Sequence, residues 1–277
     1  MRRPLLLLLA IVGLVAGTVP AAATPTHDRV RPLAQAHAHN DYEHTRPLFD
    51  ALGEGFTSVE ADIWLVDGEL LVAHDAEDLD PARTLRSLYL DPLRQRVLHN
   101  GGVYPGRTGF QLLIDIKTEG ESTYAELDAQ LRTPRYAFLW TSFRFDRVWR
   151  GPVTAVVSGN RPRDTMAAQR SRVAFYDGRI ANPTDLGPGS DARLTPLVSD
   201  NWTTLFSWTG AGPMPADERA ELLDIVGTAH RAGQRVRFWA TPDVAGPERD
   251  AVWRELVAAD VDHINTDDLK GLADFLR

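Results

Sequence analysis

The sequence predicts a (β/α)8 barrel on three observations. Eight apolar runs rich in β-branched and aromatic residues occur along the chain. Helical patterns alternate with them, which is the signature of successive βα units. No internal repeat, low-complexity run or linker divides the 277 residues, so one large domain is the simplest organisation.

In chain order, the first 23 residues read as a signal peptide: Arg2 and Arg3 are the positive end, Leu5 to Val15 the apolar run, and Ala21-Ala22-Ala23 the cleavage site. A membrane anchor is the competing reading. That run is shorter than the roughly 20 residues a span requires, and Pro20 with three alanines follows it instead of a basic stop. Cleavage after Ala23, secretion and no stable membrane anchor are expected, with residues 24–277 forming one catalytic domain.

Strands are expected at Pro32–His37, Thr57–Leu65, Gln111–Ile116, Val153–Ser158, Arg172–Tyr176, Leu194–Ser199, Arg235–Ala240 and Val261–Asn265. Helices are expected at Thr45–Gly53, Ser122–Arg132, Asp164–Gln169, Asp217–Ala232 and Glu248–Ala258, with Thr45 as N-cap of the first. After the second strand, "SVEADIWLVDGELLVAHD" alternates on both sides of Asp67-Gly68, a pair suited to a tight primed turn, and predicts a β-hairpin insertion ending near His74. Arg144–Gly151 and Asn182–Arg193 read as irregular.

Composition excludes several functions. There is no cysteine, hence no disulfide, zinc-thiolate site or thiol nucleophile. The formal charge of −8 becomes −10 without Arg2 and Arg3, and no basic stripe marks a nucleic-acid surface. A monomer is expected.

Chemistry in a barrel collects where strands end, because the βα loops share one rim. "SVEADIWL" places Glu60 and Asp62 on the same strand face, and "LLIDIK" does so for Asp115 and Lys117. Carboxylates on an inward face are costly to bury unless a cation sits among them. Three of them at a rim make an oxygen-rich site suited to Ca²⁺ or Mg²⁺; an internal salt bridge to Lys117 is the structural alternative. "AHAHNDY" brings His37 and His39 to the end of strand one, and the hairpin returns His74. Two imidazoles beside a divalent ion suit phosphoryl chemistry, one taking and one giving a proton, with Lys117 on a phosphate oxygen. Asn40, Arg161 and Trp239 are candidates for substrate contact. His27, His44, His99, His230 and His263 are read as structural.

The order of a histidine closing strand one, "VEAD", "DGELLVAHD", "LIDIK", "FWATPD" and "INTDD" resembles the glycerophosphodiester phosphodiesterase and phosphatidylinositol-specific phospholipase C-like superfamily. "HAHNDY" with "RTLRSLYLDPL" looks more like its exported branch of altered-inheritance-of-mitochondria type. The resemblance spans roughly Ala34 to Asp268 and implies metal binding by Glu60, Asp62 and Asp115. It implies acid–base work by His37 (or its neighbour His39) and His74, with Lys117 on the phosphate. A small or lipid-derived phosphodiester would be the substrate, attacked by its own hydroxyl to give a cyclic phosphate or by water. Two departures stand out. The family's His-Arg-Gly is His37-Ala38-His39 here, leaving Arg161 or Arg46 to replace its arginine, and Asp115 stands where a Glu is usual, as in the sphingomyelinase D branch.

Two alternatives remain open. His-x-His after a first strand also resembles metal-dependent amidohydrolases, which need further histidines where this chain has "FYDG" and "LVSD". A non-catalytic barrel that binds a phosphorylated ligand would keep the same rim.

Overall fold

The computed structural model describes residues 30–106 and 108–277. The leader and its cleavage site lie outside the described residues, as does His27. Among the described residues there are eleven strands: β1 (Leu33–Ala38), β2 (Phe56–Val66), β3 (Glu69–Val72), β4 (Phe110–Ile116), β5 (Ser142–Arg144), β6 (Arg147–Trp149), β7 (Val153–Gly159), β8 (Ala174–Arg179), β9 (Leu197–Asn201), β10 (Arg235–Trp239) and β11 (His263–Thr266). Eight of them pair parallel in the order β1-β2-β4-β7-β8-β9-β10-β11, and β11 pairs with β1, so the sheet closes into a barrel. β3 runs antiparallel to β2 across the Asp67-Gly68 turn. Both turn residues have positive φ (48° and 83°), the geometry a two-residue primed turn requires.

The helices are α1 (Phe49–Glu54), α2 (Asp91–Asn100), α3 (Gly120–Arg132), α4 (Arg163–Ala168), α5 (Trp202–Leu205), α6 (Ala216–Arg231), α7 (Pro247–Ala258) and α8 (Leu269–Leu276). Among the described residues none is long and apolar enough to cross a membrane. The main core lies between strands and helices, with Phe56, Tyr104, Trp202, Phe238 and Trp253 fully buried in it. A smaller apolar cluster, Leu113, Val156, Phe175 and Leu197, fills part of the barrel interior and meets Phe143 of β5. The segment expected to be irregular before β7 contains the β5–β6 hairpin, turned at Phe145-Asp146, both with positive φ.

The first helix starts later than the sequence predicts. α1 begins at Phe49, and Thr45 is not its cap. The reason is Asp41, whose fully buried carboxylate accepts the Leu48 N–H at 2.6 Å and the Tyr89 hydroxyl at 2.9 Å. That clamp accompanies a Leu48 φ of 65°, which a helix cannot pass through.

Burial, partly offset by those two hydrogen bonds, pushes the Asp41 carboxyl from 3.8 up to about 7. Between these values the folded chain holds a proton the unfolded chain has lost. Stability from this group is therefore complete below 3.8 and falls as pH rises through 7. Melting curves between about pH 5 and about pH 8 should show wild type losing stability relative to Asp41→Asn. Parallel profiles would contradict this.

Candidate active site

Alternation along each strand sends one set of side chains inward. The inward set includes His37 of β1, Ser58, Glu60 and Asp62 of β2, and Asp115 of β4. The later strands add Ser158 of β7, Asp177 of β8, Ser199 of β9 and Arg237 of β10. Register places Asp62 beside Asp115 and Asp115 beside Ser158. Glu60, Asp62 and Asp115 each bring one oxygen within 4.8 Å of the others.

Each of these carboxylates directs one oxygen to a neighbouring cation. Asp62 Oδ2 lies 3.0 Å from Lys117 Nζ, Asp115 Oδ1 lies 3.1 Å from the same nitrogen, and Glu60 Oε2 pairs with Arg237. Asp62 Oδ1 is buried without a partner among the described residues. Burial and the charge of Glu60 raise the Asp62 carboxyl to about 6, against Lys117. Burial also opposes ionisation of Glu60, but Arg237 and His37 outweigh it and hold that carboxyl well below its usual range. Lys117, despite burial, is held charged by Asp62 and Asp115.

The three predicted histidines occupy different environments. His37 is sealed inside the barrel: Nδ1 lies 2.7 Å from Ser58 Oγ, and Arg237 Nη1 donates to Nε2 at 2.7 Å. Burial, then the Arg237 charge, lowers its pKa to about 4. The 3.2 Å approach of Nε2 to Glu60 Oε2 is therefore two acceptors around one guanidinium, not an ion pair. His39, one turn of the pleat further, reaches the rim with 28% of its side chain exposed. Its Nδ1 lies 2.9 Å from Asp267 Oδ1, and the Asp267 N–H is in turn held by Asp243 Oδ2 at 2.6 Å. Burial opposes charge on His39, but the Asp267 hydrogen bond and the Glu60 charge prevail and its pKa is raised. His74 is half exposed, with Nδ1 3.2 Å from Asp62 Oδ2 and 3.2 Å from the Tyr42 hydroxyl.

The remaining predicted contacts divide. Asn40, at φ 45°, stands 2.8 Å from the Tyr42 hydroxyl through Oδ1, at the edge of the carboxylate cluster. Trp239 closes β10 half-buried, beside Asn201 in register. Arg161 instead braces strand ends, donating to the carbonyls of Asp177 at 2.6 Å and Gly159 at 2.8 Å. Arg46 pairs with Asp50 on the surface. Arg179, at the end of β8, stands beside the interior acid Asp177, with Nη1 3.0 Å from Asp177 Oδ2.

Sequence reasoning did not single out Tyr42, Arg237 or Gly159. Tyr42 donates toward Asp62 Oδ2 at 2.6 Å. Arg237 was available from strand parity, since it lies two residues before Trp239. Gly159 has φ 67°, and a Cβ there would meet Asp115 Oδ1 at 2.4 Å, so only glycine lets β7 approach the cluster this closely.

Residues 26–177 match the AIM6-like phosphodiesterase domain. The chain belongs to that family. Residues 235–270 separately match the glycerophosphoryl diester phosphodiesterase family. Altered inheritance of mitochondria protein 6 of Eremothecium gossypii is 30% identical over 282 residues, covering 92% of this chain and 72% of that protein. Its Kluyveromyces lactis counterpart is 29% identical over 305 residues, covering 88% and 72%. A crystal structure of a glycerophosphoryl diester phosphodiesterase from Parabacteroides distasonis matches the barrel at TM-score 0.51 and 12% identity, over 90% of this chain and 87% of that one. This AIM6-like chain thus has a phosphodiesterase-type barrel.

Proposed function

We propose that the protein is a secreted, metal-dependent phosphoric diester hydrolase acting on a glycerophosphodiester or phospholipid-type substrate. The observation that carries this reading is the convergence of Glu60, Asp62 and Asp115 between two rim imidazoles and one lysine.

The donor set fits a hard divalent ion. Each carboxylate keeps one oxygen outside its pairing with Lys117 or Arg237, and that of Asp62 is buried and unpartnered. Ca²⁺ or Mg²⁺ bound there would neutralise phosphate charge and polarise the diester.

The residues do the rest. Lys117 lies at the mouth and pairs with a phosphate oxygen. His39 is oriented through Nδ1 by Asp267, which leaves Nε2 to take the proton of the attacking hydroxyl or water. His74 is oriented through Nδ1 by Asp62 and Tyr42, and Nε2 delivers a proton to the leaving oxygen. Attack by a neighbouring substrate hydroxyl would release a cyclic phosphate; attack by water would open it. His37 supports the floor through Ser58 and Arg237 and has no lone pair left for proton transfer. Asn40, Arg179 and Trp239 would contact the substrate at the rim.

Calorimetric titration with Ca²⁺ and with Mg²⁺ tests the metal half of this reading. One ion per chain should bind, with binding lost in Asp115→Ala. Heat from neither ion, or binding indifferent to Asp115, would contradict it. Zinc retained through purification would favour the amidohydrolase alternative.

A further inference from the structure

The opposite end of the barrel carries a second polar cluster. β10 begins at Arg235, β11 begins at His263, and Gln111 lies one residue into β4. Arg235 Nη2 donates to Gln111 Oε1 at 2.7 Å, and Nη1 donates to His263 Nε2 at 3.1 Å. Both acceptors are neutral. Burial, with the Arg150 charge adding to it and Asp262 opposing, pushes the guanidinium down to about 10.

A cation out of bulk water normally has a counter-ion. Among the described residues, neither Arg235 nor Arg150 forms an ion pair with a carboxylate. Asp262, the acid that bears on Arg235, directs Oδ2 to His230 Nε2 at 2.9 Å and to the Val236 N–H at 2.9 Å.

His263 completes the pattern. It is buried, and burial followed by the Arg235 charge holds its pKa well below the usual value, so the ring is neutral. Because Nε2 accepts from Arg235, the ring hydrogen sits on Nδ1. That Nδ1 is buried with no partner among the described residues.

These groups line a cavity of about 220 Å³, together with Thr57, Thr154 and Arg150. It adjoins a second cavity of about 330 Å³ whose wall includes Gly101, Gly102 and Gly106, and the two share Thr108, Gly109 and Arg150.

We propose that this N-terminal mouth of the barrel binds a small oxyanion of the phosphate class, held by the guanidinium groups of Arg235 and Arg150 and the Nδ1–H of His263. Two arginines favour a dianion, and guanidinium forks match tetrahedral oxyanions. The site is separate from the carboxylate cluster. A hydrogen-bonded column nonetheless joins the two ends: Arg235 to Gln111, Gln111 Nε2 to Ser58 Oγ at 2.9 Å, and Ser58 to His37.

Thermal melts in inorganic phosphate, against chloride at matched ionic strength, test the proposal. Four proteins are compared: wild type, Lys117→Met, Arg235→Met and Arg150→Ala. Wild type and Lys117→Met should both gain Tm in phosphate, since Lys117 belongs to the other end. Arg235→Met should lose the gain. It also leaves Gln111 Oε1 and His263 Nε2 without their donor, so its phosphate-free Tm should fall, and the readout is the phosphate-minus-chloride difference within each protein. Arg150 is exposed, so its alanine variant should fold normally and require about tenfold more phosphate for the same gain. A gain absent from Lys117→Met, or equal in all four proteins, would overturn the proposal and leave water as the cavity's occupant.

Discussion

Replacing His39 by glutamine is expected to lower diester turnover by about 10²- to 10⁴-fold, the range for losing a positioned general base. His37→Gln is expected to act differently. Its ring is closed off by Ser58, Glu60 and Arg237, so the substitution leaves buried polar groups without their partner and costs about 1–3 kcal/mol of stability. The pair separates chemistry from support within three residues of sequence. Measuring kcat/KM and Tm for both variants checks it. His39→Gln should retain Tm and lose rate, and His37→Gln should lose Tm by a larger margin than His39→Gln does. The reverse pattern would return the proton-transfer role to His37.

Asp62→Asn should have a comparable effect by another route. Asp62 Oδ2 alone is shared by Tyr42 at 2.6 Å, His74 at 3.2 Å and Lys117 at 3.0 Å. The amide keeps the shape but removes the charge that orients His74 and attracts a cation. Turnover should fall by roughly 10³-fold and divalent-ion affinity by at least about tenfold. Stability should hold, because an acid already raised to about 6 by burial and by the Glu60 charge is replaced by a neutral group. Titration calorimetry and a melting curve on the variant separate these effects. Unchanged ion affinity would move the metal away from Asp62, and a collapsed Tm would make its role structural.

Much of this architecture was legible because barrels repeat one local rule. All eight parallel strands lie within a few residues of the positions their β-branched and aromatic runs predict, and strand parity places Glu60, Asp62, Asp115 and Lys117 together. What parity could not supply was long-range pairing. The late start of α1 depends on Asp41 meeting Leu48 and Tyr89, and Tyr89 lies 48 residues away. The difference between His37 and His39 depends on Arg237, 200 residues downstream, which closes one ring off and not the other. Arg161 looked available for substrate because nothing local shows that its donors end on the carbonyls of Asp177 and Gly159. Besides the four-residue α5, two longer helices, α2 and α8, passed unnoticed for a different reason. Both follow segments dominated by other signals: the single π-helical turn Arg86–Leu90 before α2, and the acidic pair Asp267-Asp268 before α8. Asp268 itself caps α8 through the Gly271 N–H at 2.9 Å and pairs with Arg249 at 2.7 Å, so of that pair only Asp267 serves the rim.

The central claim is that a phosphodiester is turned over at the carboxylate cluster. A phosphorus NMR time course tests it most directly, offering glycerophosphodiesters, lysophospholipids and phosphatidylinositol to the protein with Ca²⁺, with Mg²⁺ and with chelator. The account predicts loss of one diester signal that requires the metal and is abolished by His74→Ala, with the product peak distinguishing a cyclic phosphate from a monoester. No turnover of any diester while the ion remains bound would contradict it and leave a barrel that binds a phosphorylated ligand without cleaving it.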